Sequence, residues 1–146
     1  MKIQTKKLNE SAILPTRGSR LAAGADLYAL PSEGDTVIGA GETRLIHTGI
    51  AVAIPEGYVG LIYARSGLAS KRHLAPANKV GVIDADYRGE LMVALHNHGS
   101  EPQTVASGER IAQLVIAPCL MCDYEPCESL GDTERGAGGF GSTGRK

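Results

Sequence analysis

Tryptophan is absent from the chain, phenylalanine occurs once, and cysteine three times in 146 residues. Cys119, Cys122 and Cys127 are odd in number and close together, a poor disulfide framework that fits a reducing compartment. Charge of one sign is also missing, because 15 Lys and Arg offset 16 Asp and Glu for a formal net charge of -1. Interspersed charges in that balance exclude the basic face on which sequence-independent nucleic-acid binding depends. They leave a free nucleotide or another small molecule open as a ligand. No apolar run approaches the roughly 18 to 20 residues that span a bilayer as a helix; the run 114–122 is short and contains Pro118. The chain is therefore expected not to cross a membrane. Its basic start, Met1-Lys2-Ile3-Gln4-Thr5-Lys6-Lys7-Leu8, leads into Asn9-Glu10-Ser11 rather than an apolar core, so no secretory signal and a cytoplasmic location are expected.

Glycine is plentiful, with 19 residues, and with seven prolines it punctuates the chain. Pro31-Ser32-Glu33-Gly34, Gly39-Ala40-Gly41-Glu42, Pro55-Glu56-Gly57, His98-Gly99-Ser100-Glu101-Pro102 and Ser107-Gly108-Glu109 each read as turns. Between them the period is two. Residues 50–54 alternate large and small, Leu91, Val93 and Leu95 alternate with Met92, Ala94 and His96, and Leu114-Val115-Ile116 is a short buried run. Short strands at close spacing predict an all-β fold, a jelly-roll sandwich or barrel that buries the inner faces of its sheets, in a single domain. One segment departs from this. Ser66-Gly67-Leu68-Ala69-Ser70-Lys71-Arg72 has a Ser placed to cap its start and cations at its end, which predicts one short helix. Residues 1–130 are read as the jelly-roll domain. Residues 131–146, rich in Gly, Ser, Thr and charge, cannot pack a core and are read as a flexible C-terminal arm.

Two familiar patterns fail on context. Gly136-Ala137-Gly138-Gly139-Phe140-Gly141 satisfies G-x-G-x-x-G, but no helix and no acidic residue follow it, which excludes a dinucleotide fold. Pro118-Cys119-Leu120-Met121-Cys122 matches half of a zinc deaminase signature, yet no His of the chain is followed by x-Glu, the general acid/base that chemistry requires.

Three segments carry more. In Ala64-Arg65-Ser66-Gly67-Leu68 a strand ending at Tyr63 runs into the short helix, whose start offers free N–H groups, a small residue for close approach and an Arg fork. That outlines an anion site; an ordinary helix start with a surface Arg is the alternative. Residues 78–90 are dense in polar groups. There Asp84 and Asp86 are expected to share one face of a strand, as a base with a structural partner or as a metal-ligand pair, and Asn78 has the donor and acceptor needed to read a base edge. A turn with solvated acids is the plainer reading. The third segment is the arm, where Phe140, with Arg135 before it and Ser142 and Thr143 beside it, could stack on a planar ligand while hydroxyls and a cation meet phosphates. Ala22-Ala23-Gly24-Ala25-Asp26-Leu27 and Gly108-Glu109-Arg110-Ile111-Ala112-Gln113 read, each alone, as turns feeding strands.

Taken in order and at these spacings, the five segments resemble the five motifs of the trimeric dUTPase family. Asp26 stands in the first, Arg65-Ser66-Gly67 in the second, Gly81-x-Ile83-Asp84-x-Asp86-Tyr87-Arg88-Gly89 in the third, 108–113 in the fourth and 135–144 in the fifth. The resemblance implies a β jelly-roll homotrimer with active sites at subunit interfaces. It implies hydrolysis of dUTP to dUMP and pyrophosphate, which limits uracil incorporation into DNA and supplies dUMP for dTMP synthesis.

Residue by residue, it implies that Asp84 activates a water for attack on the α-phosphorus. Asn78 and the backbone of Val82 and Ile83 would read uracil, Tyr87 would exclude a ribose 2′-hydroxyl, and Met92 would line the pocket. Phe140 would stack on the base; Arg65, Ser66, Gly67, Arg135, Ser142 and Thr143, with Gly141 among them, would hold the phosphates. Mg2+ would ride on the triphosphate, with Asp26 and Gln113 in its outer shell rather than as direct ligands. Ala64 and the basic lead Arg17-Gly18-Ser19-Arg20 depart from the family pattern. The alternatives are a dCTP deaminase-like enzyme on the same fold, or a catalytically silent nucleotide-binding regulator.

Overall fold

A computed structural model describes residues 1–139; Phe140, Gly141, Ser142 and Thr143 of the arm lie outside the described residues. Among the described residues eleven strands, a 3-10 turn and one helix follow in order: β1 (Gln4–Lys7), β2 (Ala25–Tyr28), a 3-10 turn (Pro31–Glu33), β3 (Thr36–Ile38), β4 (Thr43–Ile46), β5 (Ile50–Ala53), β6 (Tyr58–Tyr63), α1 (Ser66–Arg72), β7 (Leu74–Pro76), β8 (Val80–Ile83), β9 (Val93–Asn97), β10 (Gln103–Val105) and β11 (Arg110–Pro118). Among the described residues no helix is long and apolar enough to cross a membrane.

The strands form a four-stranded sheet β2-β11-β6-β8, a three-stranded sheet β4-β9-β7 and the pairs β1-β5 and β10-β3, all antiparallel. This is a β jelly roll. One core joins the sheets: Leu27, Ile62, Ile111 and Leu114 from the larger sheet meet Ile46, Leu74, Val93 and Leu95 from the smaller. Leu27, Ile50, Leu74, Leu91, Leu95 and Ile111 are fully buried, and each such side chain contributes about 2 kcal/mol by leaving water. The alternation in β9 produces this directly, since Val93, Leu95 and Asn97 point inward and Ala94 and His96 do not.

Asn97 is one of the buried polar residues, with Asp26 and Thr48, and its amide is paired through both its nitrogen and its oxygen. Nδ2 donates to the carbonyls of Ile38 and Glu101 at 3.0 and 2.8 Å, and Oδ1 accepts from the Gly99 N–H at 2.9 Å. The side chain thereby ties β3 to the loop that follows β9, at no cost of an unpaired buried dipole.

Two expectations are corrected at element boundaries. Leu91 and Met92 precede β9 rather than belonging to it, since Leu91 N–H bonds to the Ile50 carbonyl across to β5. The helix runs over Ser66–Arg72 as expected, but Ser66 is its first residue and not its cap. Arg65 holds the cap position with extended backbone (φ -83°, ψ 129°), and no side chain caps the start. Among the described residues regular structure ends at Pro118; beyond it Leu120, Met121, Tyr124 and Leu130 are almost fully exposed.

Candidate active site

β6 and its neighbours place the motif residues. Across the larger sheet, Asp26, Gln113, Tyr63 and Val80 form one transverse row, paired strand to strand. β6 ends at Tyr63 and the chain turns directly into α1, so Arg65 reaches back over the row to Asp26.

Asp26 is 4% exposed, yet charged partners surround it. Arg65 Nε donates to Oδ1 at 2.9 Å, Arg110 Nη1 to Oδ2 at 3.3 Å, and the Gln113 amide to Oδ1 at 3.5 Å. Arg65 Nη1 donates further to the Arg110 carbonyl at 3.2 Å. The first, second and fourth motifs therefore meet at one carboxylate. A buried carboxylate is tolerated only when paired in this way. Its neighbour Glu109 is also committed to the scaffold, linking Arg72 at the end of α1 to the turn before β11 through the Ala106 N–H.

The start of α1 beside this cluster is open. A side chain atom added at Gly67 would meet nothing within 4 Å, and no side chain caps the first N–H groups of the helix. The expected anion site is thus sterically accessible, with Arg65 partly engaged by Asp26.

The third motif builds a separate cleft of about 240 Å³, lined by Leu45, Val82, Ile83, Asp84, Tyr87, Glu90 and Met92. Val82 and Ile83 end β8, and Met92 leads into β9. Asp84 is exposed, and it also borders a second hollow of about 440 Å³ with Asp86, Glu56, Tyr58 and Cys119. Asp84 and Asp86 do not share a strand face. β8 stops at Ile83 and the chain turns at Asp84, closed by the Tyr87 N–H on the Asp84 carbonyl at 3.2 Å. Of the two acids only Asp84 lines that cleft, with Tyr87 and Glu90 beside it. Asn78 stands just before β8, its amide against Gly81, where an added Cβ would lie 3.2 Å from Nδ2. It is not among the residues lining the cleft.

Tyr87 folds back over Gly89 and donates its hydroxyl to the Glu90 carbonyl at 2.9 Å. A Cβ at Gly89 would lie 2.6 Å from Tyr87 Cζ, so only glycine admits the ring there. Sequence reasoning missed Glu90. Its Oε1 accepts from the Thr48 and Gly49 N–H groups at 3.1 and 2.7 Å, and its Oε2 meets His47 Nδ1 at 2.9 Å. The hydrogen bond to Glu90 holds His47 above its ordinary pKa of 6.5, helped by the charges of Glu90 and Glu33 and opposed by partial burial. For Glu90, burial pushes upward, but His47 and the two backbone donors outweigh it and the pKa lies below the ordinary 4.5. The signal available in sequence was the acidic end of the third motif; its partner lies 43 residues away.

A jelly roll with one solvent-facing carboxylate on an aromatic-walled cleft, and an uncapped helix start beside a buried Arg–Asp pair, defines a class of all-β proteins with a small polar-ligand site. The dUTPase family model matches residues 10–144, and the chain belongs to the dUTPase family. The deoxyuridine 5'-triphosphate nucleotidohydrolase of Nautilia profundicola is 48% identical over 99% of this chain and 100% of its own length. That of Pseudomonas aeruginosa is 45% identical over 98% and 95%. Among solved structures, a mutant dUTPase of Staphylococcus bacteriophage 80alpha with dUpNHpp superposes with a TM-score of 0.89 at 33% identity, covering 98% of each chain. A mutant dUTPase of phage phi11 of S. aureus, described with a structural Mg(II) ion, gives 0.79 at 30% identity over 88% of this chain and 98% of that one.

Proposed function

We propose that the protein is a dUTP diphosphatase, hydrolysing dUTP to dUMP and pyrophosphate. The observation that carries this is the gathering of Val82, Ile83, Asp84, Tyr87 and Met92 on one cleft. The exposed Asp84 carboxylate orients a water and takes its proton as the oxygen attacks the α-phosphorus; the bond to the β-phosphate oxygen breaks and pyrophosphate leaves. Val82 and Ile83 offer backbone groups to the uracil edge, with Asn78 one turn before them. Tyr87 flanks the sugar and discriminates sterically. The open start of α1, Ser66 and Gly67, together with Arg65, receives the phosphates. Arg135 and the arm residues Phe140, Gly141, Ser142 and Thr143 complete the site from outside the jelly roll.

Mg2+ would be held chiefly by the triphosphate oxygens, where it would supply charge neutralisation for the leaving pyrophosphate. The oxygens of Asp26 already accept from Arg65, Arg110 and Gln113, which fits Asp26 and Gln113 facing the waters of the ion rather than the ion itself. The active assembly is a homotrimer in the cytoplasm, with sites between subunits. Supporting this, the Asp26 cluster and the Asp84 cleft occupy different places on one chain, and the apolar side chains of residues 120–130 are exposed and unmatched.

The test is pyrophosphate release from dUTP, with dCTP, dTTP and UTP as controls, with and without Mg2+. Release from dUTP alone is expected. Ammonia from dCTP, or tight dUTP binding without turnover, would overturn the reading.

A further inference from the structure

We propose that His73, Lys79, His96 and His98 form a proton-gated site for a free tetrahedral oxyanion such as inorganic phosphate. The site is independent of the dUTP reading. Three of the four histidines of the chain gather here from separate elements. His96 lies in β9 and His98 just past it, with their rings 4.4 Å apart edge to face. His73 follows α1; its carbonyl accepts the His98 N–H at 2.8 Å, and a Cβ at Gly99 would lie 3.3 Å from its ring. Lys79 precedes β8, and its Nζ stands 3.3 Å from His98 Nε2. Among the described residues no salt bridge reaches any of the four. Positive charge gathered there has no protein counter-ion, so the counter-ion comes from solution.

The backbone carries a second sign. His73 and Lys79, with φ of 57° and 63°, are the two non-glycine residues of positive φ among the described residues. At His73 the conformation ends the helix, with its N–H on the Leu68 carbonyl; at Lys79 the N–H closes a turn on the Pro76 carbonyl at 3.0 Å. Glycine would meet either need without strain, yet both positions hold a side chain able to carry positive charge. The ligand follows from the donors. An ammonium only donates, so in its contact with Lys79 the His98 Nε2 accepts and that ring is neutral. When His98 takes a proton from solvent, Nε2 becomes a donor as well and the contact turns repulsive. An oxyanion between the two accepts from both. Nδ1 of His96 is occupied by Thr43 Oγ1 at 2.9 Å, which leaves its Nε2 for the same ligand. Desolvation, then the charges of Lys79, His96 and His73, hold His98 below its ordinary 6.5, and no carboxylate is among the groups acting on it. Without an anion the site gives up its proton; with one it takes the proton back.

The experiment follows the histidine ring signals of the full-length protein by NMR as pH is titrated, in inorganic phosphate, in sulfate, and in chloride at matched ionic strength. Each signal is assigned from a single histidine-to-glutamine variant, and fold is checked by circular dichroism. Phosphate and sulfate are expected to raise the His98 midpoint by about one pH unit above its value in chloride, with smaller upward shifts at His73 and His96. Sulfate stays doubly charged throughout, so its effect is separate from titration of the probe, and chloride accounts for simple screening. His47 is paired with Glu90 and serves as the internal control. Lys79→Gly removes the ammonium at a backbone position glycine accepts without strain, so it should fold normally and lose at least about half of the His98 shift. Equal midpoints in phosphate, sulfate and chloride, or a Lys79→Gly variant that responds like the wild type, would overturn the proposal. A shift at His47 without one at His98 would also overturn it, by placing the anion beside the third-motif cleft that Glu90 lines.

Discussion

Arg65 and Asp26, 39 residues apart in the chain, meet through a 2.9 Å hydrogen bond between Nε and Oδ1, with the Asp26 side chain buried and that of Arg65 only 24% exposed. The pair joins the start of α1 to β2, and it makes Asp26 the anchor for a phosphate-facing Arg.

Replacing Asp26 by Ala leaves Arg65 half-desolvated without its partner. Because Arg110 is half exposed and recovers solvation easily, the expected loss is about 2–3 kcal/mol, at the low end for a broken buried pair. Urea unfolding measures it, and a change under about 0.5 kcal/mol, the range of ordinary surface substitutions, would show the contact to be incidental.

Asp84→Asn separates catalysis from folding. The side chain is exposed, so its unfolding midpoint should match the wild type. Hydrolysis of dUTP should fall by about 10²–10⁴-fold, because the amide cannot accept the proton of the attacking water, while calorimetry still registers dUTP binding. Near-normal turnover would remove Asp84 from the mechanism.

At Gly67 stability and activity should move in opposite directions. Ala meets nothing within 4 Å and favours the helix by about 0.5 kcal/mol. The added methyl also stands over the open N–H groups at the start of α1, so KM for dUTP should rise while Tm rises slightly. An unchanged KM would take the helix start out of the phosphate site.

The His47–Glu90 pair sets a pH window for stability. His47 is raised above 6.5, so its contribution is complete below 6.5 and fades as pH climbs through the raised value. Glu90 lies below 4.5, so its contribution is complete above 4.5 and fades as pH drops through the lowered value. Glu33 strengthens the His47 side. The Tm difference between wild type and His47→Ala should therefore be greatest between 4.5 and 6.5 and small, since His47 is 44% exposed. A difference that grows toward alkaline pH would contradict the assignment.

What was legible in sequence was what local chemistry decides. The period-two alternation marked β5 and β9, and the segment 66–72 announced α1 through the Ser at its start and the cations at its end. β1 was not legible: Gln4–Lys7 carries no apolar alternation, and it is a strand because β5 offers it a backbone edge. The cap at Arg65 was missed because capping depends on backbone angles as much as on residue type. The same holds for Asp84 and Asp86, where an acidic spacing that suits a strand face sits in a turn instead. Glu90 and its partners could not be found by reading along the chain, since a contact across 43 residues leaves no periodic trace.

The transverse row through Asp26, Gln113, Tyr63 and Val80 also limits how the chain can change length. Gln113 is paired on both sides at once, in a strand whose neighbouring residues Ala112 and Leu114 face the core. One residue gained or lost within the stretch shared by all four strands would turn Gln113 inward and carry a core side chain out against Asp26. The irregularity already present in β11, between Arg110 and Ala112, lies at the end of that stretch, where the slip is absorbed before the row begins. Variants of this protein that differ in length are thus expected to differ in the loops around residues 34–35 and 98–102, and not in β11.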